Sequence, residues 1–393
     1  MSGEISLNVR QARLAWSARQ SLTTSSRERP LPLAALTASL GWIAVTSGVA
    51  PYLALLARGA IMRRAELDEA IFARAELTVA PGPRGLSWLV PTADAPLARA
   101  FAMADHTSRE SRVSSSCALT SRDLLGARDA LRKALEQPRT PAALMAALPS
   151  DVTRSLGATA KRSGVATLAG LALRALWVQG EVTRTHLEGR LDRERLQYSI
   201  TQLPKVVPSG AGAVETVAAR WFAAHAPASA RAFAEAFSLA TGRAVAALKP
   251  LRLVDVRVEG IADGLLAPQG FAAPEETTAP PIAALLPAGD PYLEARQGLT
   301  GILDAERAVG LDGKKLGAGP VALFDGEVVG AWSVDRGQVS LSLFSALSPA
   351  AREALETERA AVAAFFASEL TPPADGRKGR DALLIAGEFS AEQ

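Results

Sequence analysis

The chain is poor in the side chains that carry redox and metal chemistry. Its single cysteine, Cys117, excludes an internal disulfide and with it the usual mark of an oxidising compartment. Cys117 stands in SSSCALT with no histidine nearby, which argues against a thiol nucleophile. The three histidines, His106, His186 and His225, are scattered, with no cysteine or carboxylate at ligand spacing, so neither a metal nor another cofactor is expected. GLDGKKLGAG (310–319) has no serine or threonine after Gly-Lys and is not a phosphate-binding loop. MSGEISLNVR lacks the apolar core of a signal peptide, leaving the cytoplasm as the expected compartment.

Lysine is scarce as well. Of 43 cations in 393 residues, 36 are arginine and 7 lysine, and arginine is the better fork for phosphate and base edges. The net charge of +3 hides an uneven spread. Residues 1–250 carry 31 basic and 19 acidic side chains, and residues 251–393 carry 12 and 21. A surplus of +12 in one part and −9 in the other suggests that the first part meets a polyanion. With 48% hydrophobic and 21% charged residues, a disordered or fibrous chain is excluded.

Charge is wholly missing from Pro30 to Ala57, and about 20 apolar residues suffice to cross a bilayer. Pro30, Pro32, the Thr46-Ser47-Gly48 break and Pro51 interrupt the run. The expectation is two short buried helices, 32–45 and 51–57, with a membrane span as the alternative.

Helical spacing recurs in 7–22, 63–77, 92–137, 140–151, 167–180, 212–226, 228–240, 242–250 and 348–368, the last capped by Ser348. Strand pairs are expected in 77–91 around Pro-Gly-Pro-Arg-Gly, in the arginine-rich 181–200, and in 319–334 around Asp325-Gly326. Further strands are expected in 251–260 and 338–347, while 260–281 is rich in Pro, Ala and Glu and reads as loop. Helices followed by a hairpin, three times over, is the order of tandem winged helices. The fold class is α+β, with a small C-terminal β-barrel-like module and a closing helix. The division is 1–137 (first winged helix and helical brace), 138–210, 211–262, 263–370 and a tail, 371–393.

The chain resembles the winged-helix DNA-binding family that contains the AlkZ-type DNA glycosylases, over about residues 6–368. ALLPAGDPYLEAR (284–296), GPVALFDGEVVGAW (319–332) and AARWFAAHAPASARAFAEAFSL (218–239) look like family segments, as do ARQSL (18–22) and APYLALLAR (50–58). The resemblance implies a monomer of tandem winged helices curved around double-stranded DNA, excising alkylated or crosslinked bases, with no membrane partner. Such a protein would work in the nucleoid. It also implies a glutamine-apolar-glutamine motif after a glycine in the second N-terminal helix, where a polar side chain orients water at the anomeric carbon. The matching segment here is Gly41-Trp42-Ile43-Ala44-Val45, so both glutamine positions fall on aliphatic residues, Ile43 and Val45.

Expected phosphate contacts are Arg84 at the first hairpin tip, Lys161 and Arg162 before the second recognition helix, and Arg184, Arg190, Arg193 and Arg195 in the second wing. The plainer reading of the wing is a solvated face paired with Glu188, Asp192 and Glu194. Arg63 and Arg64 are weaker candidates, since Glu66, Asp68 and Glu69 follow. Asp290, ahead of Pro291, is expected to cap a short helix; its alternative role is a lone carboxylate activating water. Trp16, Trp42, Trp177 and Trp221 fall on apolar positions and are expected in the core. Three functions remain open: a DNA-binding protein without the family's chemistry, a glycosylase with relocated groups, and a regulator or scaffold.

Overall fold

The structure, a computed structural model, describes residues 5–193, 195–201, 203, 211–261, 264–275, 281–296, 300–304, 319–335 and 337–370. Helices and mainly antiparallel sheets combine as α+β. Strand β1 (Ile5–Leu7) leads into helix α1 (Val9–Arg19), where Asn8 and Gln11 each accept the other's backbone N–H. Helix α2 (Thr24–Glu28) follows on a Thr23 cap.

The uncharged run then divides into α3 (Leu33–Ser39), β2 (Ile43–Val45) and α4 (Ala50–Leu56). The helix expected over 32–45 therefore stops at Ser39, and the motif segment lies on a strand. Gly41 and Trp42 take φ of 77° and 75°, a left-handed pair that ends the helix. A Cβ at position 41 would also lie 3.0 Å from His225 Nε2, so both the backbone conformation and the space favour glycine there. Continuous apolar runs look alike as buried helix or buried strand, which is why the period alone misled.

Helix α5 (Arg64–Asp68) widens into a π-helical turn over Glu69–Ala73. The hairpin of β3 (Leu77–Pro81) and β4 (Ser87–Pro91) closes a sheet in the order β2-β4-β3. The long helix α6 (Ala95–Cys117) packs along this hairpin.

A second set runs from α7 (Ser121–Ala134) through a bridge of Arg139 to Tyr198, α8 (Pro141–Ala147), α9 (Ser150–Thr153), α10 (Gly157–Arg162) and α11 (Leu168–Gln179). It ends in the hairpin of β5 (Val182–His186) and β6 (Leu196–Ile200). A third set comprises α12 (Ala211–His225), β7 (Ala228–Ser229), α13 (Ala230–Ala236), α14 (Thr241–Leu248), β8 (Leu253–Val258) and β9 (Leu265–Pro268). Its sheet order is β7-β9-β8, with β1 parallel to β8 on the outer edge. In all three sets the first short strand or bridge pairs with the last strand. Strand β9 corrects the loop expected across 260–281. It has four residues and ends on Pro268, which cannot donate to a ladder, so its surroundings masked it.

The C-terminal sheet is a meander of β10 (Ala283–Leu286), β11 (Val321–Phe324), β12 (Glu327–Asp335) and β13 (Gln338–Leu343). Asp325 and Gly326 turn β11 into β12 with φ of 48° and 76°, the pair a two-residue hairpin requires. Period-two alternation buries both faces. Ala284, Leu286, Val321 and Leu323 meet Ala12 and Trp16 of α1. Leu285, Ala322, Val329 and Trp332 meet α16 (Pro349–Ser368) through Leu355 and Val362, and α4 through Leu53. Each leucine or valine side chain buried this way contributes about 1.5–3 kcal/mol. Trp16, Trp42, Trp177 and Trp221 are all buried, as their spacing predicts. Among the described residues no helix is long and apolar enough to cross a membrane.

Candidate nucleic-acid interface

Strand β2 is buried on both faces. Ile43, 1% exposed, packs with Leu36, Leu40, Tyr52, Leu55, Leu77 and Leu89. Half-buried Val45 lies against the same cluster. Trp42 and Ala44 join Trp88, Phe101, Trp221 and Phe237 on the other side. The strand pairs with β4, Ile43 opposite Leu89 and Val45 opposite Ser87. The cluster that surrounds Ile43 is a filled apolar core that also contains the Tyr52 ring.

The loop of the second hairpin docks beside this strand. Leu191 is buried in the same core, and its N–H donates to the Tyr52 hydroxyl at 2.9 Å. That hydroxyl donates to Asp68, which also takes Arg64. Burial holds the Tyr52 phenol far above its ordinary pKa, so it remains a neutral donor. The Leu191 carbonyl lies so close to Gly48 that a Cβ has no room there. Arg184 donates to Ser87 Oγ at 3.2 Å, and its guanidinium sits 5.4 Å from the Trp177 ring. Arg190 grips Asp192 with two bonds, 2.9 and 2.6 Å. Arg193 and Arg195 share Glu188 at 3.7 and 3.3 Å, and only Arg195, at 75%, is mainly solvent-exposed. The arginines of the second hairpin thus take the paired arrangement with Glu188 and Asp192, while Glu194 lies outside the described residues.

The other expected contacts divide the same way. Arg84 takes a positive φ of 58°, pairs with Glu294 and lies 5.4 Å from the Trp88 ring, so it folds back instead of projecting. Lys161 and Arg162 are exposed at the end of α10, ahead of α11 as expected. Arg63 faces solvent beside Glu66 at 3.5 Å, and Arg64 is held by Asp68. Asp290 caps α15 (Pro291–Glu294) by accepting the Tyr292 N–H at 2.9 Å. Its two oxygens also take Arg58 Nη1 and Nη2 at 2.8 and 2.9 Å, with both side chains fully buried. A carboxylate so enclosed and so fully bonded has no free face for a water nucleophile.

Arg58 belongs to a buried hub. It donates to the Gln20 and Ala54 carbonyls at 2.8 and 2.7 Å. The Gln20 amide donates to the Ala224 carbonyl at 2.9 Å and lies 3.3 Å from His225 Nδ1. Burial, followed by the charges of Arg296 and Arg58, holds His225 well below its ordinary pKa and therefore neutral. Among the described residues no group of three or more His, Cys, Asp or Glu is placed to hold a metal ion.

A family model described as DNA glycosylase AlkZ-like matches residues 37–365. The chain belongs to the AlkZ-like DNA glycosylase family. Among solved structures it is similar to the DNA glycosylase AlkZ of Streptomyces sahachiroi, with a TM-score of 0.68 and 19% identity over 94% of this chain and 99% of that one. At that identity the likeness shows the fold alone. No curated protein matches the chain.

Three arginines in ion pairs, Arg58, Arg109 and Arg174, are not among the contacts expected from the sequence. Arg174 carried a signal, being the lone charge inside the apolar helix LAGLALRALWVQ. Arg58 carried one too, as the first charge after the uncharged run. Arg109 carried none, since α6 is rich in polar residues throughout.

Proposed function

We propose that the chain binds double-stranded DNA in the repair setting of its family, without breaking the glycosidic bond through β2. The observation that carries this reading is Ile43. Where the family resemblance places a glutamine, an aliphatic side chain is packed into the core. Base excision needs a polar group to hold water against a sugar carbon that develops positive charge. An isoleucine side chain, with no polar atom, cannot hold that water. Asp290, the other carboxylate considered, is committed to Arg58.

We read each of the three repeated sets as a winged helix and the C-terminal sheet as the barrel-like module. The recurring pairing of first and last strands supports this reading. Lys161, Arg162 and Arg195 are the best remaining phosphate contacts of those expected, because their charges reach solvent. Arg84 and Arg190 are spent on internal carboxylates.

The test has two parts. Affinity for random duplex should fall steeply with salt, log K losing about 0.9 per phosphate contact for each unit of log salt. Duplex carrying 7-methylguanine or a crosslink should release no free base above the buffer control. Release would establish relocated chemistry. Undetectable or salt-independent binding would remove the DNA reading, and one sequence bound far above random duplex would favour a regulator.

A further inference from the structure

The seam between the first hairpin and helices α6 and α11 holds more positive than negative charge. Arg174, 4% exposed, leaves the middle of α11 and donates through Nη1 to the Gly85 carbonyl, at the turn between β3 and β4, at 3.0 Å. Its Nη2 lies 3.5 Å from Asp105 Oδ2 on α6. Arg109, one turn along α6, reaches the same oxygen with its own Nη2 at 3.3 Å. Two guanidiniums therefore converge on a single carboxylate oxygen.

Position 85 marks how close they come. A Cβ on Gly85 would collide with Arg174 Nη2 and lie 3.0 Å from Arg109 Nη2. Among the described residues, the buried Nε atoms of both arginines have no hydrogen-bond partner. The next carboxylate on α6, Glu110, is committed to Arg128 and His106 at 2.5 and 3.2 Å. Burial and then the charge of Arg109 lower the Arg174 pKa to about 10. A second anion at the edge would offset the repulsion between the two guanidiniums. Arg109 and Asp105, with side chains 13% and 11% exposed, form the solvent edge from which it would enter.

We propose that Arg109 and Arg174 form a phosphate-binding site at this seam, taking a phosphate oxyanion that duplex DNA supplies as a backbone phosphodiester. Arg109 meets the anion, and Arg174 lies behind it, tied to the first hairpin. Planar guanidinium forks suit phosphate oxygens. A phosphate held there would join α6, α11 and the first hairpin at one point. The assignment to DNA rests on the function proposed above; the affinity for phosphate does not.

The test uses the full chain with Arg109→Gln, and Arg231→Gln on the exposed face of α13 as control. Melting is followed while inorganic phosphate replaces chloride at constant ionic strength. Phosphate should raise the melting temperature of wild type and of Arg231→Gln but not of Arg109→Gln. Arg109→Lys, which keeps the charge and loses the fork, should respond weakly and serves if the glutamine variant folds poorly. In duplex binding, Arg109→Gln should flatten the salt slope by about 0.9. A phosphate response equal in wild type and Arg109→Gln overturns the site. A response lost in the variant with an unchanged salt slope keeps the phosphate site and overturns its assignment to DNA. Failure of wild type to bind duplex removes the proposed function and leaves the melting comparison to decide the site.

Discussion

Two arginine–aspartate sites in this molecule use the same chemistry to opposite ends. At Arg58 one guanidinium meets one carboxylate, both fully buried, and every guanidinium nitrogen has a partner. At Asp105 two guanidiniums meet one oxygen at the edge of solvent, and donors remain unfilled. Charge balance and a full set of bonds mark the first as a joint between α4 and α15. A surplus cation beside a partly exposed edge marks the second as the place for an anion. Counting arginines in the sequence cannot separate the two, because the difference lies in how many arginines share each carboxylate.

The comparison breaks most visibly at Arg58. Asp290→Ala leaves a buried guanidinium without its counter-ion and should cost about 3–5 kcal/mol in urea unfolding. Asp105→Asn should cost clearly less, because water reaches that edge. Equal losses would erase the distinction between the two sites. Next in size is Ile43→Gln, which puts an unpaired amide among leucines and should destabilise the fold by about 1–3 kcal/mol. It should restore no base release, since position 43 is packed inside an apolar core.

A pH titration sharpens the hub side. His225 is neutral in the fold with its pKa depressed, and Arg58 and Arg296 face it. Above about pH 6.5 the group is neutral folded or unfolded and changes nothing. Below that the unfolded chain takes a proton that the fold refuses, so stability falls with pH by about 1.4 kcal/mol per unit from this residue. His106 and His186, also lowered by burial, add to the slope, and His225→Gln should reduce it without abolishing it. The smallest effect is expected at Arg195→Ala, within about 0.5 kcal/mol of wild type in stability. Its loss should show only as weaker, less salt-dependent DNA binding.

Local signals carried much of the fold. Thr140, Ser348 and Asp290 each accept a backbone N–H at the start of a helix, as their types and positions predict. Asp325-Gly326 turns where a two-residue hairpin demands positive φ. What stayed hidden is long-range. β2 was lost inside a run whose period could not separate strand from helix, and only the reversal at Gly41 and Trp42 decides it. Arg58 and Asp290 are 232 residues apart, so the cap was visible and its ion pair was not. The arginines of the second hairpin were legible as charges, yet Arg190 is spent on Asp192, and the docking of Leu191 against Tyr52 depends on tertiary contact alone. The departure at Ile43 and Val45 was legible from residue identity, and their packing adds that the space is filled.

The most direct test of the central claim is base release under single-turnover conditions, with protein in excess over an alkylated duplex and binding saturated by mobility shift. The expected result is complete binding with free 7-methylguanine at the level of the buffer control. Release above that control from the bound duplex would contradict the account and place the chemistry on residues other than Ile43 and Val45.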